Sequence, residues 1–312
     1  MSRIVITGSA GFIGSHLAEN LLESGHEVLG IDNFLSSSYS REIKIKNIEK
    51  SMKYPNYTFL EIDLCSLEDS KVFQKDDIVI NEAAMPGLPL SWVDPELYFR
   101  SNTFLPVNLL RLGETAKIKK FVQISTSSVY GKFAVGDESL PINPASPYGV
   151  SKLAAEQMVR NFCNIHDIEF NILRYFSVYG PRQRPDMAYS QIISKIIRDE
   201  QVFIYGDGKQ SRTNTYVTDI VSGTIAAING AQSGEIYNLS GDVSVSLLET
   251  VNFIASQLGK SGLRIEHLTE RIGDQKETKG EFEKANKHFE YQPKVNFWDG
   301  LKEQIEYQLR FH

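Results

Sequence analysis

The chain has 312 residues, of which 41% are hydrophobic and 23% charged, and a net charge of −6 at neutral pH. Its length suits a large domain plus a smaller one, and its composition is that of an ordinary soluble globular protein. The negative charge argues against a nucleic-acid-binding surface, and the lack of any apolar run near 20 residues argues against a membrane span.

Cysteine and histidine usage excludes further classes of protein. Cys65 and Cys163 are the two cysteines, which fits free thiols in a reducing cytoplasm better than a disulfide. The first residues run directly into a strand pattern, so we expect no signal peptide and a cytoplasmic location. The six histidines show no ligand spacing with one another or with the cysteines. We therefore expect no metal site.

Short apolar runs alternate with helical patterns in the first 175 or so residues. Amphipathic segments, such as Phe12–Ser24 and Ser101–Ala116, lie between the apolar runs. This alternation predicts an α/β fold with a doubly wound parallel sheet, in which ligands bind at the carboxyl ends of the strands. The runs that predict strands are Ile4–Thr7, Glu27–Ile31, Thr58–Glu61, Ile78–Asn81, Phe121–Ile124 and Phe170–Leu173.

A glycine-rich loop follows the first predicted strand and begins the first predicted helix. Its glycines, Gly8, Gly11 and Gly14, have the spacing Gly-x-x-Gly-x-x-Gly. The first permits a tight turn, the second lets the backbone approach a pyrophosphate, and the third lets helix and strand pack closely. Free amides at the helix N-terminus would bind the phosphates. The predicted cofactor contacts in this loop are Gly8, Gly11, Phe12, Ile13 and Gly14.

Acidic residues follow the next two predicted strands. Asp32, followed by Asn33, lies where a carboxylate can accept hydrogen bonds from both hydroxyls of an adenosine ribose. The same carboxylate would repel a 2′-phosphate, so NAD is favoured over NADP. Asp63 and Leu64, after the third strand, are predicted to contact the adenine.

A phenol and an ammonium lie one helical turn apart further along the chain. Ser146 and Pro147 predict a helix start, which places Tyr148 and Lys152 on one face of that helix. A neighbouring cation favours the phenolate, so the pair is suited to removing a proton from a hydroxyl. The hydroxyl-rich segment Ser125–Gly131 ends the preceding strand and is expected to face the same crevice.

The regular alternation of strand and helix patterns stops after Tyr179-Gly180-Pro181, which indicates a second, smaller lobe. The segment Thr218–Asn229 predicts a helix that returns to the first lobe. We therefore expect a nucleotide-binding domain at residues 1–175, joined again by 213–238. Residues 176–212 and 239–312 would form a substrate-binding domain.

Taken together, the glycine loop, the serine cluster and the Tyr148/Lys152 pair resemble the extended short-chain dehydrogenase/reductase family. The similarity runs through essentially the whole chain and includes Leu173–Gln183, Gly206–Arg212 and Arg271–Asp274. These segments look like the nucleotide-sugar epimerase branch. The resemblance implies a Rossmann domain that binds NAD and a smaller α/β domain that holds a UDP-sugar.

The resemblance also implies roles for individual residues. Arg212 and Arg271 would clamp the diphosphate, since guanidinium groups make forked hydrogen bonds to phosphate oxygens. Asp274 would contact the uridine ribose, and the strand around Phe203 the uracil. The complete set of implied substrate contacts is Thr126, Ser127, Ser128, Ser177, Arg184, Phe203, Arg212, Arg271 and Asp274.

In the mechanism that the family implies, Tyr148 as phenolate takes the proton from the sugar 4-hydroxyl through Thr126, while hydride passes from C4 to NAD⁺. Lys152 would lower the pKa of Tyr148 and hold the nicotinamide ribose, and Asn102 would fix the helix or a water beside it. The 4-keto sugar then turns over and takes the hydride back on its other face.

The triplet Thr126-Ser127-Ser128 discriminates within this branch. Sugar 4,6-dehydratases of the family carry Thr-Asp-Glu, and UDP-glucuronate decarboxylases carry Thr-Ser-Glu. A triplet without a carboxylate lacks the second acid/base pair, so we expect 4-epimerisation. Ser177 and the motif Gly-Pro-Arg-Gln-Arg-Pro-Asp-Met that follows it resemble bacterial UDP-glucuronate 4-epimerases. However, the segment Pro86–Trp92 lacks the arginine that such enzymes usually carry after Pro-Gly-Val. UDP-glucuronate and the neutral substrates UDP-glucose and UDP-GlcNAc therefore all remain open.

Two further readings compete with an epimerase: a dehydratase or decarboxylase with unusual acid/base placement, and an NAD-binding regulatory module without catalysis. The intact Thr126, Tyr148 and Lys152 argue against a pure sensor, which needs no base. The segments Glu96–Ala116 and Ala145–Ile165 resemble the helices through which this family forms homodimers, so we expect a homodimer.

Overall fold

The computed structural model describes residues 2–35, 40–271 and 273–311. The strands are β1 Ile4–Thr7, β2 Val28–Asp32, β3 Tyr57–Glu61, β4 Ile78–Asn81, β5 Lys120–Thr126, β6 Phe133–Gly136, β7 Glu169–Tyr175, β8 Val178–Tyr179, β9 Val202–Tyr205, β10 Ser211–Thr213, β11 Thr215–Tyr216, β12 Ile236–Leu239, β13 Ser244–Ser246, β14 Ile265–Leu268 and β15 Glu277–Gly280.

The α-helices are α1 Phe12–Glu23, α2 Arg41–Ile48, α3 Leu88–Val93, α4 Pro95–Phe99, α5 Leu105–Ala116, α6 Pro147–His166, α7 Ala188–Ile197, α8 Val217–Gly230, α9 Leu247–Gln257, α10 Glu283–Phe289 and α11 Phe297–Leu309. A π-helical turn at Arg100–Phe104 connects α4 to α5. Within the described ranges, no helix combines the length and apolarity needed to span a bilayer.

A seven-stranded sheet, in the order β3-β2-β1-β4-β5-β7-β12, forms the centre of the molecule. All of its strand pairs are parallel. The chain winds outward from β1 in one direction and from β4 in the other, so the carboxyl ends of β1 and β4 form the crevice at which such sheets bind ligands. The predicted doubly wound Rossmann fold is confirmed, because the six predicted strands all lie in this sheet.

The strands of this sheet read as continuous apolar runs because helices cover both faces. All residues of β1, β2, β4 and β5 are buried, whereas the edge strand β3 is only partly covered. The predicted helix Thr218–Asn229 corresponds to α8, which packs against α1.

The remaining strands form small sheets on the other side of the crevice. One has four strands in the order β13-β10-β15-β6, and two are pairs, β8 with β11 and β9 with β14. After β8 and β11, the chain returns through α8 to add β12 beside β7. The exact division into two domains stays a prediction.

His16 on α1 connects the large sheet's helical layer to the segment after β8. Its Nε2 atom lies 3.0 Å from the Pro181 carbonyl oxygen, and it therefore carries the proton. The neighbouring Arg182 donates to Glu19 at 2.6 Å. Burial, together with the charge of Arg182, lowers the pKa of His16 from its ordinary 6.5 to about 4.

This histidine should make the protein sensitive to acid. Because its folded pKa lies below its unfolded pKa, its contribution to stability is complete above pH 6.5 and is lost as the pH falls towards 4. The loss should reach about 2–3 kcal/mol of unfolding free energy. Urea unfolding at several pH values checks this, with His16→Gln as the control that keeps a donor but cannot titrate. Equal acid sensitivity in both proteins would contradict the assignment.

Candidate active site

The glycine loop between β1 and α1 packs against neighbouring backbone too closely for side chains at two of its glycines. Gly8 has φ +68°, and a Cβ there would lie 2.8 Å from the backbone nitrogen of Ala83. A Cβ on Gly14 would overlap the carbonyl oxygen of Gly8. The N-cap of α1 is Gly11, and no side chain caps this helix end. The first-turn amides thus remain available for an anion, which fits the pyrophosphate of a dinucleotide.

The carboxylate predicted to bind the adenosine ribose lies at the end of β2. Asp32 is buried, and its Oδ1 accepts hydrogen bonds from the Phe34 amide at 2.7 Å and from Lys44 Nζ at 3.1 Å. Lys44, which sequence reasoning missed, lines the same crevice. The only signal for it was its place on the helix that follows the strand. At the end of β3, Arg100 donates to Asp63 at 3.1 Å.

Helix α6 carries both Tyr148 and Lys152, and it begins where Ser146 and Pro147 predict a helix start. Ser146 caps the helix by accepting a hydrogen bond from the Gly149 amide at 3.1 Å, and Pro147 is the first helical residue. Lys152 is buried, and its Nζ donates to the Ile124 carbonyl oxygen at 2.6 Å. Tyr148 is half-buried at the crevice.

The electrostatics of this pair differ from the prediction. Burial raises the pKa of Tyr148, while a hydrogen bond with Thr126 and the charge of Arg184 oppose the rise. Burial also lowers the pKa of Lys152 to about 8. The predicted lowering of the Tyr148 pKa is therefore wrong, because desolvation outweighs the neighbouring groups and the ammonium is directed at the Ile124 carbonyl.

A carboxyl group that sequence reasoning did not single out lies beside this pair. Glu82 directly follows β4, and its Oε1 accepts a hydrogen bond from the Tyr175 hydroxyl at 2.9 Å. Burial raises the pKa of Glu82 to about 7, and Tyr175 and Lys152 oppose the rise. No motif indicates Glu82, because its partners come from other strands and from α6.

Hydroxyl groups at the end of β5 form the adjoining wall of the crevice. Thr126 Oγ1 lies 3.3 Å from Ser128 Oγ and accepts the Ser128 amide at 3.1 Å. The Ser127 hydroxyl donates to Gln275 at 3.2 Å, and the Gln275 amide returns hydrogen bonds to the Ser127 and Gly131 carbonyls. Gln275 is a second residue that sequence reasoning missed. Ser177, after β7, faces the same space.

Two arginines, Arg212 and Arg271, line the far end of the crevice, and a third, Arg184, lies nearer to Tyr148. Arg212 on β10 donates to the Gln275 carbonyl at 3.2 Å, and the Arg271 guanidinium lies 3.5 Å from the centre of the Tyr205 ring. Arg184 is held by Asp186 through two hydrogen bonds of 2.9 Å.

Asp274 and Phe203 lie at the same end. Burial raises the pKa of Asp274, and Arg212 and Arg271 oppose the rise. Phe203 on β9 is 39% exposed, with the Lys195 ammonium 3.9 Å from its ring centre. Ile272, within the predicted Arg271–Asp274 motif, lies outside the described residues.

These groups share one cleft of about 1040 Å³ that runs from the glycine loop to Arg271. All predicted site residues line it except Asn102. Asn102 is buried in the π-helical turn, where its side chain binds the backbone of Met85 and the Ser151 hydroxyl. It therefore fixes α6 to the loop after β4, and its predicted contact with the cofactor stays a prediction. Within the described ranges, no group of His, Cys, Asp and Glu could hold a metal ion.

Comparison with known proteins decides the family. Residues 4–240 match the model of the NAD dependent epimerase/dehydratase family. The chain belongs to that family. Membership confirms the predicted resemblance, and NAD is the cofactor that the cleft is built to hold.

Relatives within the family cover nearly the whole chain. A UDP-glucuronic acid 4-epimerase from Bacillus cereus, solved with UDP-glucuronic acid and NAD, is 37% identical over 99% of this chain and 100% of that one, with a TM-score of 0.95. A UDP-glucuronate 4-epimerase of Thermodesulfobacterium geofontis is 35% identical over 98% of this chain and 95% of its own length. A Bacillus subtilis protein named an uncharacterized UDP-glucose epimerase is 36% identical, over 98% and 97% respectively.

Proposed function

We propose that the protein is an NAD-dependent UDP-sugar 4-epimerase, which inverts C4 of the sugar through a transient 4-keto intermediate. The observation that carries this proposal is the meeting of Thr126, Tyr148 and Lys152 at the crevice opposite the glycine loop. The wall beside them offers the Ser127 and Ser128 hydroxyls in place of the carboxylates that dehydration requires. This arrangement can remove and return one proton at a sugar hydroxyl.

Side chains of the protein accept the proton of the sugar hydroxyl and return it. Tyr148 accepts the proton of the 4-hydroxyl as phenolate, and Thr126 bridges the phenol and the sugar. Lys152, anchored on the Ile124 carbonyl, would hold the ribose of the nicotinamide. NAD, held by the glycine loop and Asp32, would supply the hydride acceptor and donor for C4 of the sugar. Because the phenol gives the same proton back, the reaction needs no other acid.

The nucleotide would occupy the end of the cleft that holds Phe203 and Asp274. Arg212 and Arg271 face the position of the diphosphate, and the Phe203 strand lies where the uracil would bind. The charge that these arginines bring to the cleft suits a diphosphate, and Asp274 suits the ribose hydroxyls as an acceptor.

Replacing Arg212 by alanine should weaken UDP binding by about 10- to 100-fold, because hydrogen bonds to charged groups contribute about 1.5–3 kcal/mol. Calorimetric titration with UDP measures this without turnover. Arg198→Ala is the matched control, since Arg198 lies at the end of α7 and is exposed to solvent. Equal affinity of both variants for UDP would remove Arg212 from the site.

The sugar is either a uronate or a neutral hexose. The hydroxyls of Ser128 and Ser177 line the cleft and could donate to a C6 carboxylate or to a C6 hydroxyl, whereas the Ser127 hydroxyl already donates to Gln275. Arg184 is already paired with Asp186, and Leu88 brings no charge to the cleft. Incubation with UDP-glucuronate, UDP-glucose and UDP-GlcNAc, without added NAD, distinguishes these substrates by the C4 epimer that forms.

The same incubation tests the competing readings. UDP-pentose as the main product from UDP-glucuronate would replace the proposal with decarboxylation. A 4-keto-6-deoxy product from UDP-glucose would replace it with dehydration. Bound NAD without turnover of any of the three sugars would leave a regulatory module.

We also propose a homodimer in the cytoplasm. The π-helical turn and α6 carry exposed apolar side chains, with Phe104 66% and Ile165 76% accessible. Two such segments from each subunit would form a four-helix interface. Light scattering should give twice the 35.2 kDa chain mass, and Ile165→Glu should reduce it to the monomer value. A monomeric wild-type protein would contradict the dimer.

A further inference from the structure

Glu82 lies where the glycine loop, the large sheet and the catalytic helix meet. It follows β4, whose last residue, Asn81, pairs with Gln123 on β5. The next residue of β5, Ile124, provides the carbonyl that holds Lys152. On the opposite side, a Cβ on Gly8 would lie 3.0 Å from the backbone carbon of Glu82. Glu82 is therefore placed between the glycine loop and the ammonium of Lys152.

The side chain of Glu82 is held in this place from the far side. Tyr175, at the end of β7, donates its hydroxyl to Glu82 Oε1 at 2.9 Å. The same hydroxyl lies 2.6 Å from Thr224 Oγ1, which itself donates to the Ile220 carbonyl on α8. The hydrogen bond from this hydroxyl, which Thr224 contacts from behind, holds the carboxylate at the cleft.

Glu82 and Lys152 carry opposite charges in a region with little water. Lys152 is 3% exposed, and burial disfavours its charged form. Glu82 and Glu156 both favour the ammonium, but Glu156 already binds Arg174 through two hydrogen bonds. The same negative charge of Glu82 acts against the Tyr148 phenolate. The groups that face Glu82, Lys152 and Tyr148 are Tyr175, Tyr98, Glu156, Arg184 and Thr126.

We propose that Glu82 is a positioning residue of the catalytic centre, whose carboxylate stabilises the charge of the Lys152 ammonium without a direct salt bridge to it. This inference rests on the proposed roles of Tyr148 and Lys152. In this arrangement, Glu82 keeps the buried lysine charged and keeps the Tyr148 phenol protonated to a higher pH. The carboxyl of Glu82, with a pKa of about 7, is itself ionised over the range in which the other two groups titrate.

Removing the negative charge of Glu82 should change the pKa values of Lys152 and Tyr148 in a predictable direction. In Glu82→Gln, both Lys152 and Tyr148 should release their protons at lower pH, because a nearby negative charge favours the protonated form of each group. The profile of epimerisation rate against pH should shift to lower pH, and its rising and falling sides should shift in the same direction. A residue that only supported the fold would lower the height of the profile without moving it.

Titration of the Tyr148 phenol tests the proposal without any substrate. Absorbance at ~295 nm is followed against pH for the NAD-bound protein and for Glu82→Gln. Each protein is paired with its Tyr148→Phe version, so that the difference reports this phenol alone. We expect the midpoint in Glu82→Gln to fall by about one pH unit. Glu82→Leu removes the same charge with an apolar side chain and serves if the glutamine variant does not fold.

The matched control is Glu82→Asp, which shortens the side chain but keeps its negative charge. Its Tyr148 midpoint should lie close to that of the wild type. An unchanged midpoint in Glu82→Gln, or an equal fall in Glu82→Asp, would overturn the proposal. The titration is independent of the reaction. A lowered Tyr148 midpoint in Glu82→Gln, in a protein that epimerises no sugar, would support the role of the Glu82 charge and refute the proposed function. Epimerisation by a protein whose Tyr148 midpoint does not change in Glu82→Gln would support the proposed function and refute the role of Glu82.

Discussion

Replacing Tyr148 by phenylalanine should reduce epimerisation by at least about 10²- to 10⁴-fold, the contribution typical of a general acid–base group. The phenylalanine ring fills the same space beside Tyr98, whose ring centre lies 6.1 Å away, so the fold and the cleft should be preserved. The variant loses the oxygen that exchanges a proton with the sugar, and the neighbouring Thr126 is too weak a base to replace it. Product analysis with the preferred UDP-sugar measures the loss.

Tyr98→Phe is the matched control for this change. It also removes one phenolic oxygen, but that oxygen donates to the Pro86 and Gly87 carbonyls and faces no substrate. It should cost about 1 kcal/mol of stability and leave epimerisation within about tenfold of the wild type. Retention of NAD by Tyr148→Phe, read from the absorbance of the denatured protein, separates loss of the base from loss of the cofactor. Full activity in Tyr148→Phe would refute the mechanism.

Local patterns predicted those parts of the fold and site whose cause is local. The turn at Gly8, the N-cap at Ser146 and the one-turn spacing of Tyr148 and Lys152 each depend on a few consecutive residues. Each is present in the structure. The sheet order followed in the same way, because alternating strands and helices permit few topologies.

The parts that sequence reasoning missed depend on contacts between distant segments. Gln275 reaches the Ser127 hydroxyl across 148 residues of chain, and Tyr175 reaches Glu82 across 93. Neither contact produces a periodicity or a motif. The pKa of Tyr148 was mispredicted for the same reason. The spacing to Lys152 is local, whereas burial of the phenol depends on residues from distant segments, such as Tyr98 and Thr126.

A buried ion pair supports the end of β5 from below. Glu156 on α6 binds Arg174 on β7 through hydrogen bonds of 3.0 and 2.6 Å, and the two side chains are 0% and 3% exposed. The Ser125 hydroxyl donates to the same carboxylate, and Arg174 donates to the Tyr130 hydroxyl at 2.9 Å. These contacts join the helix that carries Tyr148 to the two strands that carry Thr126 and Tyr175.

Glu156→Ala should therefore destabilise the protein by about 3–5 kcal/mol, because it leaves the Arg174 guanidinium buried without its partner. The chain supplies a matched control: Arg41 binds Glu61 through an equally forked pair of hydrogen bonds, but these side chains are 45% and 48% exposed. Glu61→Ala should leave the free energy of unfolding nearly unchanged, since water solvates the released guanidinium. Urea unfolding of both variants measures the difference. An equal loss of unfolding free energy in both variants would mean that burial does not determine how much the Glu156–Arg174 pair stabilises the protein. If they differ as expected, the rigidity of the site depends on a charge that never meets the substrate.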